Sequence, residues 1–207
     1  MMEWDRQWLQ HINQEWTHPF LDWLMPAVSS IHAWLPLLVV AGVWIFWRGG
    51  RAGRQFLLCT AVAICLGDGV VSHTLKHIVG RVRPQDSMTE VVSRDLGKDW
   101  PEFIRLFKPP VQHPGRPKKV DHGKSFPSSH TINLFAVAMV IAHFRRVWGA
   151  FAFLLAALVG YSRVYVGAHW PSDVVPSAGI GLLVGWCAVL LVRSGLSWLA
   201  RRRALRA

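Results

Sequence analysis

The chain has 207 residues, 52% of them hydrophobic, with twelve tryptophans and a formal net charge of +11. The positive charge sits in short joints between long apolar runs, which argues against nucleic acid as its partner and for membrane topology and attraction to anionic membrane lipids. Cys59, Cys65 and Cys187 all fall inside apolar runs without metal-ligand spacing, so they are expected to be buried thiols.

In chain order, Trp4, Trp8, Leu9, Ile12 and Trp16 recur at three- and four-residue spacing, the pattern of an amphipathic helix lying in the membrane interface. Pro19 breaks that helix. Phe20 to Ser30 is either part of this segment or a further crossing, and the acidic residues before position 23 weigh against the crossing. Glu3 and Asp5 stand where a cleavable leader would be basic, so the first span is expected to act as its own insertion signal.

Five apolar runs follow: Val28 to Trp47, Phe56 to Val71, Thr131 to Phe144, Val147 to Gly167 and Val174 to Val192. Several approach the ~20 residues that a helix needs to cross a hydrocarbon core. The shorter runs alone would also suit a soluble all-helical core. The expected fold is therefore an all-α, polytopic transmembrane bundle of five to six spans. It comprises one membrane-embedded domain over residues 1–207, with an interfacial segment at 1–27 and a long extracytoplasmic loop at 84–127.

Arg48, Arg51 and Arg54 follow the first run, Arg145 and Arg146 separate the third and fourth, and Arg193, Arg201, Arg202, Arg203 and Arg206 follow the fifth. No Asp or Glu interrupts these segments, and the positive-inside rule assigns all three, with the C-terminus, to the cytoplasm. The 84–127 loop and the Tyr161 to Asp173 turn then lie outside. The loop is rich in proline and mixed in charge. It reads equally as a solvated connection or as a cap whose Lys118, Lys119 and Lys124 offer charge to a phosphate.

Three polar clusters fall at the outer ends of these runs. Lys76 and Arg83 are seven residues apart, nearly two helical turns, and share a face if the helix persists as far as Pro84. Two cations on one face suit a phosphoryl group, although snorkelling accounts for either one alone. In "FPSSH", Pro127, Ser128 and Ser129 favour a helix start whose unpaired amides and dipole attract an anion, with His130 beside it. Capping alone would explain the serines. In "YSRVYVGAHWPSD", Arg163 can clamp a phosphate, and His169 lies four residues before Asp173. If a helix begins near Pro171, the carboxylate can hold one imidazole nitrogen and leave the other free for nucleophilic attack.

In order, K-x6-R-P at Lys76 to Pro84, P-S-x-H at Pro127 to His130 and S-R-x5-H-x3-D at Ser162 to Asp173 resemble the three signature motifs of the type 2 phosphatidic acid phosphatase family. The matching residues span about half the chain. Ser129 departs from the pattern, which has glycine there, and places a side chain beside the phosphate loop. The resemblance implies a membrane lipid phosphatase in which His169 becomes a phosphohistidine and Asp173 orients it. It further implies that His130 is general acid and then base, while Lys76, Arg83, Arg163, Ser128, Ser129 and the helix-start amides bind the phosphoryl oxygens. No metal or other cofactor is expected, because fixed cations supply the charge.

Asp68, inside the second run, is expected to be a structural hydrogen-bonding group or a distant partner of a motif cation, ahead of a catalytic group. His73 and His77 are expected to pack at the interface, and His113 and His122 do not make a metal set. The leading function is hydrolysis of a lipid phosphate or diphosphate at the outer face of a bacterial inner membrane. The preferred substrate is undecaprenyl diphosphate, with phosphatidylglycerophosphate and lipid A as alternatives. A lipid-to-lipid phosphotransferase using the same site, a vanadium haloperoxidase-like enzyme and a non-catalytic scaffold are the competing classes.

Overall fold

The computed structural model describes residues 3–97, 101–118 and 123–205. Helix α1 (Glu3–Gln10) continues through a π-helical turn, His11–Glu15, and ends before α2 (Pro19–Ser29). His18 caps α2 by accepting the Phe20 N–H on its ring, and Pro19 takes the first helical position, where its missing donor costs nothing. Thus Pro19 both stops one helix and starts the next. With eleven residues, α2 rises only ~16 Å, short of a ~30 Å hydrocarbon core.

The N-terminal arm does more than lie in an interface. Asp5, Leu9, Ile12 and Asn13 are buried against the protein, while Trp4, Trp8 and Trp16 remain exposed. The apolar set read as one membrane-facing stripe is thus divided between a docking face and a tryptophan ridge. Asn13 fixes the docking by donating to Val92 O at 2.8 Å and Tyr165 O at 2.7 Å and accepting the Val92 N–H at 2.8 Å.

Next come α3 (Ile31–Arg48) and α4 (Gly50–Ile64). A π-helical stretch, Cys65–Ser72, joins α4 to α5 (His73–Val79) as one rod, and the bundle closes with α6 (Ser129–Phe144), α7 (Arg146–Tyr165) and α8 (Pro171–Ala204). Among the described residues, four helical segments are long and apolar enough to cross a membrane: α3, the rod beginning with α4, α7 and α8. The third apolar run forms α6, which at 16 residues is shorter and lies at the centre, packed on α4, α7 and α8.

On α3, only Ala33 is buried, and Leu37, Leu38, Val39, Val40, Trp44 and Trp47 point away from the protein, as suits a helix with lipid for solvent. One apolar seam joins Cys59 and Ala63 of α4, Ala136 and Val140 of α6 and Val184, Ala188, Val189 and Val192 of α8. Here α8 meets α6 backbone to backbone: a Cβ on Gly181 would stand 2.5 Å from Ile132 O, and one on Gly185 2.4 Å from Ala136 O. This small-x3-small spacing permits close approach where no hydrophobic effect drives helices together. The thiols correct the sequence reading. Cys59 is buried, but Cys65 and Cys187 face outward, because their helices turn only one side to the bundle.

The described parts of the long loop are folded rather than irregular. Antiparallel strands β1 (Val92–Asp95) and β2 (Val111–Pro114) pair with Val92 opposite Pro114, and a 3₁₀ turn, Glu102–Phe107, lies between them and packs near α3. The returning chain bonds to the segment after α5 through Gly123 N–H to Gly80 O and Ser125 N–H to Arg81 O, each 2.8 Å. At the other end of the bundle Phe56 meets Phe144 edge-on at 5.7 Å and Arg193 lies 3.4 Å from His143, bringing the basic joints together. Lys119, His122 and Arg206 lie outside the described residues.

Candidate active site

The end of the bundle opposite the basic joints receives the end of α5, the start of α6 and the α7–α8 turn. Lys76 and Arg83 do not share a helical face as the spacing predicts. The helix stops at Val79, and Gly80 reverses the chain with φ 59°, a left-handed conformation suited to glycine. Arg83 is then reached along extended backbone. It nonetheless stays within electrostatic reach of Lys76, His130, Arg163 and His169. Three cations thus act on His130 and two of them on His169, while the charge of Lys124 acts on Lys76.

At the start of α6, Ser128 is the N-cap. Its N–H is taken by Ser177 Oγ at 2.9 Å, and its buried hydroxyl accepts from Thr131 Oγ1 at 3.0 Å. Its side chain is therefore turned into the protein, unlike the phosphate-binding role read from the motif. The first intrahelical bond runs from Ile132 N–H to Ser128 O at 3.0 Å, so the amides of Ser129, His130 and Thr131 precede it. Ser129 places its hydroxyl on Lys76 Nζ and 2.6 Å from Ser72 Oγ. Its departure from glycine thus ties α6 to the rod carrying Lys76.

In the α7–α8 turn, Arg163 O accepts the N–H groups of Ala168 and His169 at 3.1 Å, and the Arg163 guanidinium bonds Ser29 of α2. His169 is buried, with Nδ1 3.6 Å from Asp173 Oδ2, an ion-pair separation longer than a hydrogen bond. Asp173 occupies the third position of α8, where its carboxylate accepts the Trp170 N–H at 3.0 Å, as an acid in a capping box does. The same carboxylate accepts from Ser125 Oγ at 2.5 Å and Arg81 Nη1 at 2.6 Å. Burial holds the His169 imidazole down at about 4; Asp173 opposes this, while Arg163 and Arg83 reinforce it. The ring is neutral at physiological pH, the state a nucleophile requires.

The sequence reading omits Arg81, Ser125, Ser72, Ser29 and Asp5. Arg81 lies in plain view inside "GRVRP", but only a fold could pair it with a carboxylate 92 residues on. Lys118, a candidate cation, pairs with Asp86 at 2.7 Å, and His113 pairs with Asp95 at 3.1 Å. His73 and His77 pack on each other at 4.6 Å on an exposed face. Asp68 is exposed within the π-helical stretch, and its charge acts on Lys76, consistent with a distant partner of a motif cation. Among the described residues no three His, Cys, Asp or Glu side chains are placed to hold a metal ion.

Such a site can hold a tetrahedral anion between fixed cations and helix-start amides, with an unprotonated imidazole on one side and a second imidazole beside it. The chain as a whole is similar to known proteins. The chain is 28% identical to a lipid A 4'-phosphatase of Bacteroides thetaiotaomicron over 81% of its own length and 68% of that protein's. It is 26% identical to an undecaprenyl-diphosphatase of Sulfolobus acidocaldarius over 79% and 66%. It thus spans about two thirds of these curated relatives. The crystal structure of LpxE from Aquifex aeolicus superposes with a TM-score of 0.65 at 26% identity, covering 91% of this chain and 96% of that one. Residues 52–195, which include all three clusters, match the PAP2 superfamily, and the chain belongs to that family of phosphatases as an integral membrane member.

Proposed function

We propose that the protein is a metal-independent lipid phosphatase working through a phosphohistidine at the extracytoplasmic face of a bacterial inner membrane. The observation that carries this reading is that Lys76, Arg83 and Arg163 all lie within electrostatic reach of His130, and the two arginines of His169 as well, with Asp173 behind His169. In the first step His169 Nε2 attacks phosphorus while the bond to the leaving oxygen breaks, and His130, protonated once the bound phosphate's negative charge offsets the surrounding cations, gives that oxygen its proton. In the second, His130 takes a proton from water, the water oxygen attacks phosphorus, and the N–P bond breaks to release inorganic phosphate and neutral His169. Lys76, Arg83, Arg163, the Ser129 hydroxyl and the first amides of α6 bind the non-bridging oxygens, whose charge is most spread in the transition state. Ser128 contributes by shaping the helix start.

A lipid suits the position, since its tail can remain in the bilayer while its headgroup reaches the helix ends. Undecaprenyl diphosphate is the substrate we propose, and the names of relatives favour lipid A as the second reading. The test is phosphate release by purified protein with EDTA present, from undecaprenyl diphosphate, lipid A, phosphatidylglycerophosphate and phosphatidic acid. Preferred turnover of undecaprenyl diphosphate, lost in His169→Ala, is expected. Wild-type turnover by His169→Ala, or no release from any of the four by folded protein, would refute the reading.

A further inference from the structure

Residues 3–29 lie outside the region matching the family, yet two of their side chains reach the back of the site. Asp5 of α1 is fully buried. One of its oxygens accepts the Ser172 N–H at 3.0 Å, and the other accepts from Ser172 Oγ at 2.6 Å and from Arg81 Nη2. The other terminal nitrogen of that guanidinium serves Ser172 Oγ at 2.7 Å and Asp173 Oδ1 at 2.6 Å. Arg81 is thus shared between two buried carboxylates, with its Cζ over the Trp170 ring, 5.2 Å from the centroid. Ser29, at the end of α2, is also buried and holds Arg163.

The sharing has a chemical consequence. Alone with Asp173, the Arg81 fork would engage both carboxylate oxygens and compete with His169 for Oδ2. Drawn aside by Asp5, it presents one nitrogen to Oδ1 and leaves Oδ2 facing the imidazole. By the same logic, Ser29 fixes one terminal nitrogen of Arg163 and sets the direction of the rest of the guanidinium. Two anchors from one arm therefore act on the carboxylate behind the nucleophile and on a phosphate-side cation.

We infer that Asp5 and Ser29 are positioning residues of the phosphatase site, so that the N-terminal arm completes a centre whose reacting groups all lie in the matched family region. This inference rests on the proposed phosphohistidine reading. The test measures kcat, KM and the thermal midpoint of the full chain, using whichever of undecaprenyl diphosphate and lipid A has the higher wild-type turnover. Asp5→Asn keeps the shape and removes the charge, and is expected to lower kcat about tenfold to a hundredfold with KM within about threefold. Asp5→Glu should recover most of that loss. Ser29→Ala should lower kcat/KM about tenfold, and Ser29→Thr should restore it.

Arg81→Lys supplies the coupling readout: adding Asp5→Asn to it should cost little more, because Asp5 acts through the Arg81 fork. Should Asp5→Asn fail to fold, the Ser29 pair, which differs by one hydroxyl, decides. Wild-type kcat and KM in Ser29→Ala, or in a folded Asp5→Asn, would overturn the inference. So would equal losses in Asp5→Asn and Asp5→Glu. His169→Ala is run in parallel. If it retains turnover, the site reading itself has failed; if it is inactive while the arm variants match wild type, only the inference has failed.

Discussion

Asp173→Asn tests the electrostatic core of the mechanism with almost no change of shape. The carboxylate lies 3.6 Å from His169 Nδ1, and as Nε2 bonds to phosphorus the ring takes on positive charge. At an effective dielectric of about 20, a full charge at that separation is attracted by about 4–5 kcal/mol, an upper limit of roughly 10³-fold in rate. The substitution also replaces one acceptor by an NH₂ group, although Ser125, the Trp170 amide and Arg81 all donate to this side chain. Arg81 retains Asp5, so the fold should survive. Steady-state phosphate release should show kcat reduced about a hundredfold to a thousandfold, and alkali-quenched protein should accumulate phosphohistidine more slowly. A loss below about tenfold in a folded variant would show that Asp173 does not stabilise the charged ring, refuting the argument from distance and burial.

Acidity supplies a second test. A lowered His169 pKa keeps the nucleophile neutral as pH falls, so the acid limb that His169 gives to kcat/KM should appear only on approaching about 4, and its appearance at the ordinary histidine value would contradict this. Vanadate, a phosphate-like anion, should inhibit competitively, whereas EDTA should leave turnover unchanged. For the bundle, Gly185→Leu puts a Cβ 2.4 Å from Ala136 O and 2.8 Å from Met139 Cβ, and should cost about 1–3 kcal/mol, read as a lower thermal midpoint in detergent. Gly179→Ala, with nothing within 4 Å of the new Cβ, should not lower that midpoint.

The groups with local signatures were the legible ones. Apolar runs marked the long helices because membrane crossing imposes length and composition, and the three clusters were visible because their spacing is short. His169 and Asp173 needed only the helix start at Pro171 to be brought into line. What escaped depends on the path of the chain. The Lys76–Arg83 alignment failed because Gly80 turns the backbone before a second helical turn, and proximity is recovered through a loop. The strands at Val92–Asp95 and Val111–Pro114 are only four residues each, within a proline-rich segment whose composition favours turns. Asp5 and Ser29 bear no motif at all. Their contacts span 76 and 134 residues, and only the docking of the arm, secured by Asn13, brings them to Arg81 and Arg163.

The π-helical stretch Cys65–Ser72 sets the azimuth of everything after it. At ~100° per residue an uninterrupted α-helix would place Ser72 half a turn from Ala63, so the two could not face the same neighbour. Yet Ala63 lies in the seam with Ala136 and Val140, and Ser72 meets Ser129 at the head of that same helix. The wider turns take up the angular difference. This part of the rod therefore works as an indexing element, and its length in residues is as consequential as its composition. Removing one residue between Cys65 and Ser72 would rotate Lys76 by ~100° and swing a phosphate-side cation towards lipid while leaving every motif intact in the sequence.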